Sequence, residues 1–175
     1  MSIPTERLLL RPWRHEDAER VLAVYSCLEV VRWLGDGPPR PMADLGEAHR
    51  AVDRWAARGA LPPLGVWAVE VAGTGQVAGT VLLARLPGEP DPDGAVEIAW
   101  HLHPDSWGHG WATEAAAALL DHGFALGLPE VLALTHLDNT RSQAVCRRLG
   151  MRELDRGQEW YDVPMRVFSV TPAER

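Results

Sequence analysis

The stretch Glu97-Ile98-Ala99-Trp100-His101-Leu102-His103-Pro104-Asp105-Ser106-Trp107-Gly108-His109-Gly110-Trp111-Ala112-Thr113-Glu114-Ala115 decides how this chain is read. An alternating run ends at Pro104, a turn containing Gly-His-Gly follows, and an Ala-rich run starts at Trp111. The pattern predicts a strand over 96–103 and a helix over 111–126. Glycines in such a turn let the backbone come close to a ligand, and the first amides of the helix point outward without partners. With the helix dipole they make a site suited to an anion such as a pyrophosphate. Glycines also simply shape the start of a helix, and spacing alone does not separate the two roles. Two familiar phosphate loops are excluded. A Walker A loop needs Gly-Lys-Ser/Thr, and the chain has no Lys. A dinucleotide fingerprint needs a small residue where Thr113 stands and an acidic residue ending the next strand, whereas Glu130 stands at that strand's start.

Working outward, residues 5–11 read as a strand ended by Pro12, and 15–25 as a helix with Val21, Val24, Tyr25 and Leu28 at helical spacing. Loop 35–41 is stiffened by Pro and Gly. Asp44 and Glu47 give a capping-box-like start to a helix whose apolar face is Leu45, Ala48, Val52 and Trp55, with Gly59 as its stop. Strands 65–71 and 76–85 are joined by Gly73-Thr74-Gly75, and 87–94 is an acidic, mobile connection. Beyond the Ala-rich helix come a buried strand over 131–137, a helix over 140–149 ended by Gly150, and closing strands over 151–160 and 163–170. The sum is one α/β (α+β) domain over residues 1–175. It has a mixed, mostly antiparallel central sheet of about seven strands flanked by about four helices.

Composition agrees with one domain. The chain has 175 residues, 46% hydrophobic and 23% charged, enough to bury roughly 70% of the unfolded surface without a metal or disulfide staple. Disordered, collagen-like and coiled-coil classes are excluded. Its 17 basic residues, all Arg, face 24 acidic ones, for a formal charge of −7. No basic cluster appears along the chain, which argues against nucleic acid as a partner. The absence of Lys and the presence of only two Ile reflect GC-rich coding. Cys27 and Cys146 are too few and too far apart for a disulfide framework or a zinc site, so no metal is expected. The first residues lack a signal-peptide pattern and no stretch approaches a membrane span. A cytoplasmic protein with no membrane partner is the expectation.

The pattern Pro104-x-x-Trp107-Gly108-x-Gly110-x-Ala112-Thr113-Glu114-Ala115 resembles the acetyl-CoA-binding motif of the GNAT N-acetyltransferase superfamily. More narrowly it resembles the Rim-type branch, which includes ribosomal-protein N-terminal acetyltransferases. Three further segments agree with that branch: Thr5-Glu6-Arg7-Leu8-Leu9-Leu10-Arg11, Asn139-x-x-Ser142-x-x-Val145-x-x-x-Leu149-Gly150-Met151, and Trp160-Tyr161-Asp162-Val163-Pro164-Met165. The superfamily pattern Gln/Arg-x-x-Gly-x-Gly/Ala falls on Trp107 to Ala112, with Trp107 in place of Gln or Arg. The resemblance implies that backbone amides around Gly108, His109, Gly110, Ala112 and Thr113 hold the pyrophosphate of acetyl-CoA. His109 either borders the phosphates or is a solvated turn residue, and Trp111 is read as core packing. Asn139, the chain's one Asn, stands where the family has a cofactor-contacting Asn and is equally suited to cap a helix. A bulge in the 96–103 strand is also implied.

Acyl transfer to an amine needs a free-base nucleophile, a place for the oxyanion and protonation of the leaving thiolate. Glu97, Ala99, His101 and His103 share one face of their strand, and of these Glu97 is the candidate base, directly or through water. For the acid, many superfamily members use a Tyr seven residues after the Asn, where this chain has Cys146. Ser142, one turn earlier, is the branch's usual group and the first candidate, with Cys146 as the fallback. The oxyanion falls to a backbone amide of the same strand. The acceptor, a protein N-terminus or a small amine, is implied to enter beside Trp33, loop 35–41 and Trp160-Tyr161-Asp162. Net acidity favours a cationic amine by steering. Two rivals stand beside this reading: a non-catalytic acyl-CoA sensor on the same fold, and a transferase for a larger acyl group such as succinyl. Oligomeric state is left open, with a homodimer among the possibilities.

Overall fold

Alternation of apolar side chains builds the first half of the sheet. Strand β1 (Ile3–Pro4) folds back on β2 (Leu8–Pro12), because Thr5 closes a turn: its amide donates to the Leu8 carbonyl at 2.8 Å, and its hydroxyl accepts from the Leu8 amide at 2.9 Å. The strand expected over 5–11 therefore starts three residues later. A 3-10 turn at His15–Asp17 leads into α1 (Ala18–Ser26), followed by the single turn α2 (Leu28–Val31) and by α3 (Leu45–Arg58). Asp44 accepts from the Glu47 amide at 2.8 Å, while Glu47 reaches back to the Ala43 amide at 2.9 Å, one residue earlier than a capping box requires. Leu45 is 42% exposed, and Ala51 joins Ala48 and Val52 on the buried face instead.

Strands β3 (Gly65–Val71), β4 (Val77–Arg85) and β5 (Val96–Leu102) form an antiparallel meander. Helix α4 (Trp111–Ala125) crosses over to β6 (Val131–His136), then come α5 (Thr140–Arg148), β7 (Arg152–Leu154) and β8 (Met165–Val170). The sheet order is β1-β2-β3-β4-β5-β6-β8-β7, antiparallel except where β5 meets β6. This is the α/β architecture expected from the sequence, with β1 and α2 added to the seven strands and four helices. The computed structural model describes residues 1–35, 37–58, 62–86, 94–155 and 160–175. Gly59 and most of the 87–94 connection lie outside the described residues. The strand expected over 151–160 ends at Leu154, and 156–159 also lie outside.

Each face of the sheet carries its own core. Leu10, Val81, Leu83 and Ile98 pack with Leu119 and Leu120 of α4 on one face, and Ala68 and Val66 pack with Val21 and Val52 of α1 and α3 on the other. Arg11 ties β2 to the start of α1 and to β3, bonding both oxygens of Asp17 at 2.7 and 2.9 Å and Glu70 at 2.5 Å. The bulge expected in the β5 strand is not there. The β4–β5 register runs without a shift from Arg85↔Val96 to Gly79↔Leu102, and the irregularity falls between β3 and β4, at Val69 and Glu70. Pairing along its whole length with β4 holds β5 in strict alternation, so Glu97, Ala99 and His101 do share one face.

Candidate active site

Strands β5 and β6 have seven and six residues, yet they pair at one position, Glu97↔Leu132. Beyond it they part, and β5 is left with an unpaired edge. Between them opens a cleft of about 1360 Å³, lined by residues 98–102 of β5 and 133–135 of β6 and by the first turns of α4 and α5. A break in a parallel pair exposes backbone polar groups that a closed sheet would satisfy internally, which is tolerable only where solvent or a ligand can reach them.

The glycine turn sits at the mouth of this cleft. Gly108 and Gly110 have φ of +82° and +79°, a conformation costly for side-chain-bearing residues. Gly110 is the N-cap of α4, and no side chain caps the helix there. Gly108, Gly110, Trp111, Ala112 and Thr113 all line the cleft. The Trp107 indole donates to the Leu102 carbonyl at 2.8 Å, fastening the turn to the end of β5, and the Arg141 guanidinium lies over its ring at 4.6 Å. His109 is exposed, is not part of the lining, and stacks on Trp111 with centroids 4.4 Å apart. Trp111, read from sequence as core, both packs on the core and lines the cleft.

Helix α5 brings two further residues to the same cleft. Asn139 caps the helix by accepting from the Ser142 amide at 3.2 Å, and both residues line the cavity. The cap engages the Asn139 side-chain carbonyl oxygen, and its capping role is therefore the one the structure shows. Cys146 lies one turn further on but faces inward. It is fully buried in the core, is not part of the lining, and burial pushes its thiol up to about 12. The structure brings Ser142 to the cleft and leaves Cys146 out of it.

Glu97 stands at the one position where the strands still pair, next to the cleft's first lining residue Ile98, and is not itself part of the lining. Burial raises its carboxyl from 4.5 to about 7, against the pull of the Tyr161 hydroxyl, which donates to Oε1 at 3.5 Å. Two residues along the same face, His101 Nδ1 lies 3.0 Å from the Tyr25 hydroxyl, which also donates to Thr80 at 2.9 Å. Burial lowers His101 to about 4 and raises Tyr25, so both are neutral near pH 7. Of the expected acceptor-side residues, Trp33 lines the cleft and lies 6.0 Å from His136, whose Nε2 is 3.0 Å from the Gly35 carbonyl.

Sequence reading missed the cleft's positive charge. Arg7, Arg32, Arg141 and Arg148 line it, from three separate segments, with Glu29, Glu114 and Asp138 among them. Arg7 is held in place: its Nε donates to Glu114 at 2.7 Å and its Nη1 to the His109 carbonyl at 3.1 Å. Glu114 also accepts from the Thr5 hydroxyl at 2.6 Å and the Arg7 amide at 2.8 Å. The first segment of the chain is thus clamped to the glycine turn. No linear signal marks these arginines, because the fold assembles them. Among the described residues no cluster could hold a metal ion, and no helix is long and apolar enough to cross a membrane.

A split between parallel strands, a glycine turn capping a helix, and a second helix start facing it define an acyltransferase architecture, and the sequence matches the acetyltransferase (GNAT) domain family over residues 7–152. The chain belongs to that family and is an N-acetyltransferase. It is similar to YoaA of Bacillus subtilis (strain 168), described as an uncharacterized N-acetyltransferase, at 28% identity over 157 residues, 86% of this chain and 82% of that one. It is also similar to the FsC-acetyl coenzyme A-N(2)-transacetylase of Aspergillus fumigatus, at 29% identity over 168 residues, 93% of this chain and 70% of that one. Among solved structures, RimL, a ribosomal-protein alpha-N-acetyltransferase in complex with coenzyme A, shares the fold with a TM-score of 0.80 at 17% identity, over 98% of each chain.

Proposed function

We propose that this protein transfers the acetyl group of acetyl-CoA directly to a primary amine, a protein N-terminus or a small amine, within a ternary complex. The observation that carries the reading is the parting of β5 from β6 beside Glu97, opening onto the uncapped start of α4. The amides at Gly108 to Thr113 then receive the pyrophosphate, with Arg141 adding charge. Asn139 holds the pantetheine arm. The thioester carbonyl lies against the unpaired edge of β5, where a backbone amide takes the developing oxyanion. Glu97, poised near neutral pH, takes a proton from the acceptor's ammonium group, directly or through water, and the freed amine nitrogen bonds to the acetyl carbon. The carbon–sulfur bond then breaks, and the Ser142 hydroxyl hydrogen-bonds the departing thiolate, which takes up a proton and leaves as CoA thiol. The Rim-type resemblance of the sequence supports an N-terminal acceptor, and a cytoplasmic setting goes with it.

Thermal unfolding with acetyl-CoA, CoA, succinyl-CoA, NAD and ATP tests the cofactor. At a concentration 100-fold above Kd, linkage gives about 2.7 kcal/mol, an upward shift of roughly 5–10 °C for a chain of this length. A shift with acetyl-CoA and CoA is expected, and none with NAD or ATP. Gly110→Asp should abolish the shift by setting a carboxylate against the pyrophosphate, whereas Gly110→Asn, which tolerates the same backbone conformation without charge, should keep most of it. Absence of a shift with either CoA species overturns the reading. Binding without release of CoA thiol across an amine panel would leave an acyl-CoA sensor.

A further inference from the structure

Beside the transfer cleft lies a second cavity of about 420 Å³, between α1, α2, α3 and the chain around residues 38–42. Its lining holds three guanidinium groups, Arg40, Arg50 and Arg54, and one carboxylate, Glu47. Glu47 is occupied in closing the start of α3, through the Ala43 amide. Among the described residues none of the three arginines forms an ion pair, although eight other arginines of the chain do. Arg50 and Arg54 stand one turn apart on α3, where two cations repel unless an anion lies between them. A chain of net charge −7 has thus gathered a local excess of two positive charges in a concave site.

The cavity adjoins the cleft. Leu34 lines both, and the ring of Tyr25, a wall of the cavity, lies 5.8 Å from the ring of His101, a wall of the cleft. We infer that the acceptor is a primary amine carrying a carboxylate or phosphate group, its amine lying where the cleft meets His101 and Tyr25 and its anionic group lying beyond Tyr25 among Arg40, Arg50 and Arg54. The inference rests on the acetyl-transfer reading and names its substrate class. Global acidity, which favours a cationic acceptor at long range, is screened within about 8 Å at physiological salt, so the local arginines decide what is held. The three guanidinium forks match carboxylate and phosphate geometry.

The test compares matched amines, with acetyl-CoA supplied for turnover and with the CoA-loaded protein for binding: amidated peptides Ser-Glu-Ala and Ser-Gln-Ala, then 4-aminobutyrate and O-phosphoethanolamine beside n-butylamine. Steady-state release of CoA thiol reads kcat/KM, and calorimetry reads Kd without needing turnover. Acidic acceptors should be preferred about tenfold or more in at least one set, the set identifying whether peptide or small amine is the source. Arg50→Gln/Arg54→Gln should collapse that ratio toward one through KM and Kd, and Arg54→Glu should turn it toward Ser-Lys-Ala. Preference should fade as salt rises. Equal kcat/KM and equal Kd for acidic and neutral members overturns this inference while acetyl transfer stands. Failure of CoA itself to bind would instead strike the proposed function.

Discussion

Glu97, the proposed base, sets its proposed chemistry against the stability of the fold. Its carboxyl is raised to about 7 chiefly by burial, with the Tyr161 hydroxyl opposing. As the base, it should give kcat/KM rising with pH through an apparent pKa near 7, and Glu97→Gln should cost about a hundredfold or more. Tyr161→Phe removes the stabilising donor, so the rising limb should move to higher pH. An unmoved limb would detach Tyr161 from the titration. For folding, the unfolded chain releases this proton near 4.5 and the folded chain near 7. Between those values the unfolded state binds fewer protons, so stability falls as pH rises and the full cost is present above about 7. Glu97→Gln should therefore raise the melting temperature at pH 8 and do so far less at pH 4.5. An equal change at both would show that the carboxyl is not buried as charge. Glu97 was legible in the sequence as a polar group on an alternating strand. Its position at the one remaining pair was not, because that depends on where β6 stops pairing.

At the scale of elements, Arg11 joins β2, the start of α1 and β3 in one buried cluster with Asp17 and Glu70. Desolvation alone would raise the Asp17 carboxyl, and the bonds from Arg11 and the Arg14 amide together more than reverse it, holding it below its usual range. Arg11→Met leaves two carboxylates without their cation and should cost about 3 kcal/mol in urea unfolding. A loss under about 1 kcal/mol would mean that solvent already serves those carboxylates. Strongly patterned elements stood where alternation and periodicity put them: β3 over 65–71 matches the expected strand residue for residue. The short ones did not. Strand β7 is limited to the three residues that find partners on β8, and β1 exists only because Thr5 closes a turn. Pairing, not composition, sets the length of such strands.

Across the whole molecule, the sheet is nearly divided. Strands β1–β5 and strands β6–β8 meet through a single backbone pair, with α4 and α5 on the same side. A ligand that touches both the glycine turn and the start of α5 would tie the halves together. Acetyl-CoA should therefore slow amide hydrogen exchange over residues 131–148 as well as over 108–115, and protection confined to 108–115 would place the ligand on one half only. The charge pattern also belongs to this scale. Four cleft arginines and three cavity arginines come from segments spread between Arg7 and Arg148.

The sequence by itself determined the α/β class, the order and bounds of the strongly periodic elements, and the glycine turn with its resemblance to a cofactor-binding family. Those are local properties: side-chain alternation, helix periodicity and backbone freedom at Gly108 and Gly110 act over a few residues and are written in their spacing. The tertiary structure alone decided that β5 and β6 part after one pair, that Ser142 faces the cleft while Cys146 faces the core, and that scattered arginines converge on two cavities. Each of these follows from which strand edges find partners and which helix face meets the sheet. Such contacts between residues far apart in the chain come from packing the whole core at once, so no local window of sequence contains them.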